Sequence, residues 1–196
     1  GRTLATMAAG GNRKYLDGFG PTVDGFDQCP LEDIEAVRAR IWSETAAIMI
    51  EPIQGESGIK SVSHSFLRQL RELCDERGLL LIFDEIQCGM GRTGYLFAHQ
   101  ESGVVPDIMS LAKGLGGGFP IGACLATRSA AFGMMPGAHG STFGGNPLAG
   151  AVANAVLDIV MDTPLLAEIK RKSDLLRALL ENLADRYPKL IVEVRG

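Results

Sequence analysis

Three short apolar runs in this sequence each end on a side chain able to do chemistry. Glu51 closes Ala46-Ala47-Ile48-Met49-Ile50, Asp84 closes Leu79-Leu80-Leu81-Ile82-Phe83, and Lys113 closes the run from Ile108 to Ala112. Glu56 and Gln87 stand a few residues beyond the first two. Apolar runs of this length, bounded by turn signals, predict strands buried on both faces. In an open α/β sheet, ligands bind beyond the carboxyl ends of the strands. Sequential strands would therefore deliver two carboxylates and an amine to one edge.

That set suits a ligand with a ring nitrogen, a phenolic oxygen and an aldehyde. A lysine at a partly desolvated sheet edge is a usable nucleophile toward aldehydes. Behind Lys113, Gly114-Leu115-Gly116-Gly117-Gly118 lets backbone approach a flat ring. Taken alone, the motif is weak and better describes a surface lysine before a flexible loop. Asp84 needs a partner for its charge, and a protonated pyridine nitrogen is one; their pairing keeps such a ring an electron sink. Gln87 could then hydrogen-bond a phenolic oxygen. Asp84 also fits a buried carboxylate satisfied by backbone donors. With Glu85 it fits a magnesium-binding pair of a nucleotide hydrolase. The hydrolase also needs a phosphate loop of the form G-x-x-x-x-G-K-[ST], which this sequence lacks. In His139-Gly140-Ser141-Thr142-Phe143-Gly144-Gly145-Asn146-Pro147, hydroxyls and glycines precede a helix signal. Such a turn binds phosphate, or is an ordinary glycine-rich loop capped by Asn146.

The elements that must hold these residues follow from periodicity. Residues 1–30 carry Gly, Asn, Asp and Pro with little period and predict loop with short extended pieces. Residues 31–41 have Ile34, Val37 and Ile41 on one side and predict a helix. From Ser63 to Gly78, Phe66, Leu67, Leu70, Leu73 and Cys74 fall on one stripe, with Gly78 as the C-terminal cap. A further strand is predicted over Ile121–Ala126. Asn146-Pro147 opens a helix to about Met161, Thr163-Pro164 opens a longer Leu-rich one, and a last short strand starts at Leu190. Strands alternating with helices imply an α/β sheet. The shift to a charged, Leu-rich helix near residue 162 marks the predicted boundary between domains 1–162 and 163–196.

Composition narrows the classes. Of 196 residues, 46% are hydrophobic and 21% charged, with a net charge of -4, which is a globular balance without the basic excess of a nucleic-acid binder. Lys170-Arg171-Lys172 reads as the solvated face of a helix. The longest apolar run is strand-sized, so no membrane span is expected. Cys29, Cys74, Cys88 and Cys124 show no metal spacing and are expected to be reduced, in a cytoplasmic protein.

Five motifs occur in order: Glu51-Pro-Ile-Gln-Gly-Glu56, Asp84-Glu-Ile-Gln-Cys-Gly-Met-Gly-Arg-Thr-Gly94, Pro106-Asp-Ile, Ala112-Lys-Gly-Leu-Gly-Gly-Gly, and His139 to Pro147. Together they closely resemble class III pyridoxal-phosphate aminotransferases along the whole chain. The resemblance implies a PLP-dependent transferase fold of aspartate-aminotransferase type, with a mostly parallel sheet flanked by helices, incomplete here at both ends. It implies pyridoxal 5'-phosphate as cofactor and a homodimer with shared active sites. The implied reaction moves the terminal amino group of N-acetylornithine to 2-oxoglutarate in arginine biosynthesis, with ornithine, succinylornithine or 4-aminobutyrate as alternative donors. Lys113 matches the lysine that holds the cofactor and shuttles protons, Asp84 the partner of the pyridine nitrogen, and Gln87 the neighbour of the phenolic oxygen. Thr142 matches the residue reaching the phosphate from the other subunit, with Ser141 beside it touching substrate. Glu56 matches a gate glutamate that pairs with an arginine, and Arg92 is expected to tie its loop. Family members are longer, with further phosphate, ring-stacking and arginine contacts at both ends. The 196-residue chain is accordingly expected to be a fragment with little activity alone.

Overall fold

A computed structural model describes residues 2–56 and 58–196. The chain forms two compact units, one running up to Thr45 and the other Ala46–Gly196. In the first, helices α1 (Leu4–Gly10) and α2 (Arg13–Leu16) replace the loop expected over residues 1–30. Neither has an apolar stripe, and Ala8 is the one buried residue between them, so periodicity has nothing to report. Caps set them instead. Gly11, left-handed at φ 62°, donates its N–H to Met7 and Ala8, and the Asn12 side chain accepts from Lys14 N–H at 3.1 Å. Gln28 Nε2 donates to the Ala9 carbonyl at 2.9 Å. Helix α3 (Ile34–Arg40) begins where Asp33 accepts from Ala36 N–H.

The second unit holds the sheet. Strands β1 (Ala47–Ile50), β4 (Leu80–Asp84), β5 (Ile108–Leu111) and β6 (Ala123–Ala126) lie in that order. A small antiparallel ribbon, β2 (Ile53–Gln54) with β3 (Lys60–Ser61), stands apart. The pairs β1–β4 and β4–β5 are parallel, so the C-terminal ends of all three strands point to one edge. β6 returns antiparallel to β5, with Cys124 opposite Ser110.

Helix α4 (His64–Arg77) is the crossover between β1 and β4, with the predicted boundaries. Ser63 accepts from Phe66 N–H at 3.1 Å, Gly78 closes the helix at φ 67°, and the predicted stripe is the buried one. Phe66, Leu67, Leu70, Leu73 and Cys74 are each at most 4% exposed. Burying such side chains is worth roughly 1.5–3 kcal/mol each before the entropy of ordering them. The short α5 (His99–Ser102) follows β4. Helix α6 (Pro147–Val160) opens with Asn146 Oδ1 accepting from Ala149 N–H, and α7 (Thr163–Arg186) follows it.

Two strand expectations change. β1 was expected to be buried on both faces, yet Met49 is 52% exposed, because β1 is an outer strand among the described residues. No strand forms at Leu190. The chain from there is irregular, with Leu190 81% and Val192 92% exposed, and nothing among the described residues pairs with it as a strand. Among the described residues, no single helix is long and apolar enough to cross a membrane.

Candidate active site

At the C-terminal end of β4, strand alternation sends Asp84 and Glu85 to different environments. Asp84 is half-buried. Its Oδ1 accepts from Ile86 N–H at 3.0 Å and from the Ser110 hydroxyl at 3.1 Å, across the parallel β4–β5 register. Its Oδ2 accepts no hydrogen bond among the described residues. Glu85 is 1% exposed. Its Oε2 accepts from Ala98 N–H and its Oε1 from His99 N–H, both at 2.8 Å, and His99 Nδ1 lies 3.0 Å from Oε1. The imidazole stacks on Phe97 at 5.8 Å between ring centroids. Glu85 is thus a clamp on the start of α5. Both of its oxygens are taken by protein donors, so it is not available to share a cation with Asp84, and the paired magnesium reading fails on geometry.

Glu51, just beyond β1, accepts from Gly55 N–H at 3.1 Å. Burial pushes its carboxyl above the ordinary range against the Gly55 hydrogen bond; the charges of Asp84 and Glu56 add to the rise and that of Lys113 opposes it. The parallel register of β1, β4 and β5 brings Glu51, Asp84 and Lys113 to one edge, as the strand-end reading expected, and Glu56 is near enough to act on the Glu51 carboxyl. Gln87 packs on the same loop. A Cβ at position 55 would lie 2.5 Å from Gln87 Oε1 and 2.6 Å from its Cδ, so glycine is what permits the approach.

Lys113 follows β5 at the start of a 3-10 turn, Lys113–Gly116. Its φ is +44°, a left-handed conformation that costs a non-glycine residue about 1–3 kcal/mol and tends to occur at functional sites. Leu115 holds the turn down, packing with Met90, Met109, Leu111 and Ala153 of α6 in one core cluster. Gly117 ends it at φ +55°, where a Cβ would meet Val156 Cγ2 at 3.0 Å. The lysine side chain is exposed.

The whole chain, residues 1–196, matches the family described as aminotransferase class-III. The chain belongs to the class-III aminotransferases. It is 60% identical over 196 residues to the acetylornithine aminotransferase of Mesorhizobium japonicum, covering all of this chain and 49% of the relative. With acetylornithine aminotransferase 1 of Bradyrhizobium diazoefficiens the identity is 62% over 196 residues, covering all of this chain and 48% of the relative. The ornithine aminotransferase of Toxoplasma gondii, described with partial occupancy of PLP at its active site, superposes with a TM-score of 0.88 at 38% identity, over 93% of this chain and 43% of that one. The chain spans about half the length of the curated relatives it matches.

Other predicted residues of this class-III aminotransferase chain make no hydrogen bond to that edge among the described residues. Ser141 and Thr142 sit on an exposed loop, and no hydrogen bond joins them to Asp84 or Lys113 among the described residues. The Ser141 hydroxyl is used locally, accepting from Gly144 N–H at 2.9 Å. Arg92 is exposed and makes no hydrogen bond or ion pair among the described residues, so it does not tie its loop. Two polar anchors escaped sequence reading. One is Ser110. The other is Asp107, whose Oδ2 accepts from Leu81 N–H and from Arg71, both at 2.8 Å, linking α4, β4 and the start of β5. Only the Pro106-Asp-Ile motif hinted at Asp107, and no local pattern flagged Ser110.

Proposed function

We propose that the full-length protein is a pyridoxal-phosphate-dependent aminotransferase that moves the terminal amino group of N-acetylornithine to 2-oxoglutarate. The carrying observation is the sheet edge where an exposed lysine on a strained turn stands with Asp84, Glu51 and Glu56. High identity to relatives named acetylornithine aminotransferase favours this donor over ornithine, succinylornithine or 4-aminobutyrate.

The residues present fit the cofactor. Asp84 has one oxygen fixed by two donors and the other without a hydrogen bond among the described residues, as a partner for a ring N–H requires. Gln87, held against Gly55, would sit beside the phenolic oxygen, and Lys113 would hold the aldehyde through Nζ. Pyridoxal phosphate, when bound, supplies a carbonyl that takes up the amino group and a ring that withdraws electrons from the substrate carbon. Lys113 Nζ would be the acid and base of the site, moving the proton. The Asp84 carboxylate would accept the hydrogen bond of the protonated ring nitrogen.

Thr142, Ser141 and Glu56 enter as contacts of an assembled dimer. Thr142 would reach the phosphate of the partner subunit's site, Ser141 the substrate, and Glu56 would gate it through an arginine. Exposure of the Ser141–Thr142 loop, where the neighbouring Phe143 is 80% exposed, supports a loop that completes a neighbouring site. The chain divides at Thr45 and not at residue 162, so a second domain from residue 163 rests only on the exposed face of α7, where Leu175, Leu176 and Leu179 are more than half exposed. Four cysteines, none in a disulfide, fit the cytoplasm.

The test is to load the full-length protein with pyridoxal phosphate, reduce with borohydride and map the modified peptide. Label on Lys113, lost in Lys113→Ala, is expected; unlabelled protein, or label on another lysine, would overturn the reading. Comparing kcat/KM for the four donors then decides the substrate, with N-acetylornithine expected to lead.

A further inference from the structure

Ser110 lies on β5, three residues before Lys113, and pairs in parallel register with Asp84 of β4. Equivalent positions on adjacent parallel strands put side chains on the same face of the sheet. The consequence is a 3.1 Å hydrogen bond from the Ser110 hydroxyl to Asp84 Oδ1, the oxygen that also takes Ile86 N–H at 3.0 Å. Both donors meet one oxygen, and Oδ2 is left without a hydrogen bond among the described residues. The Ser110 carbonyl meanwhile accepts from Glu85 N–H at 3.1 Å, so the same residue also binds the backbone that follows Asp84.

We propose that Ser110 is a positioning residue for the cofactor: its hydroxyl fixes one oxygen of Asp84 so that the other is presented to the ring nitrogen. The inference rests on the pyridoxal-phosphate reading above and adds to it a residue that does not itself touch the ring. A carboxylate is free to rotate about its terminal torsion, which has a broad, two-fold preference. A donor on one oxygen removes that freedom before the ligand arrives, and preorganisation of this kind shows in affinity. Ser110 also ties the Asp84 carboxylate to the strand that delivers Lys113.

The experiment uses full-length protein with Ser110→Ala, Ser110→Thr and Ser110→Val, alongside Asp84→Ala. The readouts are the dissociation constant for pyridoxal phosphate, the visible absorption of the bound cofactor, and the melting temperature of the cofactor-free protein. Threonine and valine have nearly the same shape, so their difference isolates the hydroxyl even where alanine leaves a void. Ser110→Ala and Ser110→Val are expected to bind the cofactor about tenfold more weakly with altered absorption, the scale of one hydrogen bond to a charged group. Ser110→Thr is expected to bind like wild type, with all three cofactor-free melting temperatures close together. If wild type binds and Asp84→Ala does not, but valine and threonine variants bind alike, this inference alone is overturned. Wild-type protein that fails to bind pyridoxal phosphate would overturn the underlying reading and the inference together.

Discussion

Glu85 and His99 are joined twice: one carboxylate oxygen accepts the His99 backbone N–H at 2.8 Å and lies 3.0 Å from its Nδ1. The second oxygen accepts Ala98 N–H. Because the acceptor is a carboxylate, Nδ1 carries the proton. Glu85 is buried and fully used, immediately beside the half-open Asp84, so the strand end is held rigid on one face and kept available on the other.

Replacing Glu85 should therefore destabilise the fold out of proportion to the size of the change. Glu85→Gln keeps the volume but sets an NH2 group against an N–H donor. We expect a loss of about 2–3 kcal/mol for Glu85→Gln and more for Glu85→Ala. Urea unfolding of the full-length variants would measure it, and an unchanged midpoint would refute the clamp.

Asp107 gives the fold a pH dependence with a definite sign. Burial opposes its charge, but the Leu81 N–H and the Arg71 guanidinium outweigh burial and hold the carboxyl below its ordinary 3.8. A carboxyl depressed in the folded state contributes stability above its unfolded pKa and loses it as pH falls through the folded value. Asp107→Asn should lower stability by roughly 2 kcal/mol at neutral pH, with the gap to wild type narrowing below about pH 4. Denaturation curves at neutral and acidic pH would show it; a gap constant with pH would contradict it.

Gly55→Ala should separate folding from site geometry. The added methyl collides with the Gln87 amide, the far end of a flexible side chain that can swing away. Stability should change by less than about 1 kcal/mol, while the absorption of the bound cofactor shifts as Gln87 leaves its place. Thermal melts and a visible spectrum on one preparation are enough.

Cys74 and Cys88 should be chemically silent. Burial pushes the Cys74 thiol up to about 11, and burial together with the Glu85 charge pushes Cys88 up to about 12. At pH 8 neither supplies appreciable thiolate, which is the reactive form. Mass mapping after iodoacetamide treatment should find both unmodified in native protein and alkylated after denaturation.

The sequence by itself determined the features that depend on near neighbours. Ser63 and Gly78 bound α4 because a cap acts over three or four residues, and its buried stripe follows from the helical period. The strands ending at Glu51, Asp84 and Lys113 were legible from apolar runs, and with them the gathering of charges at one edge. Tertiary structure decided what depends on partners far along the chain. Ser110 meets Asp84 across 26 positions and Glu85 meets His99 across 14, and no local pattern encodes either. Helices α1 and α2 escaped because caps, not an apolar stripe, define them. Lys113 combines both sources. Its place after a strand was written in the sequence, whereas its left-handed backbone and exposed side chain come from a turn that Leu115 anchors in a core assembled from distant elements.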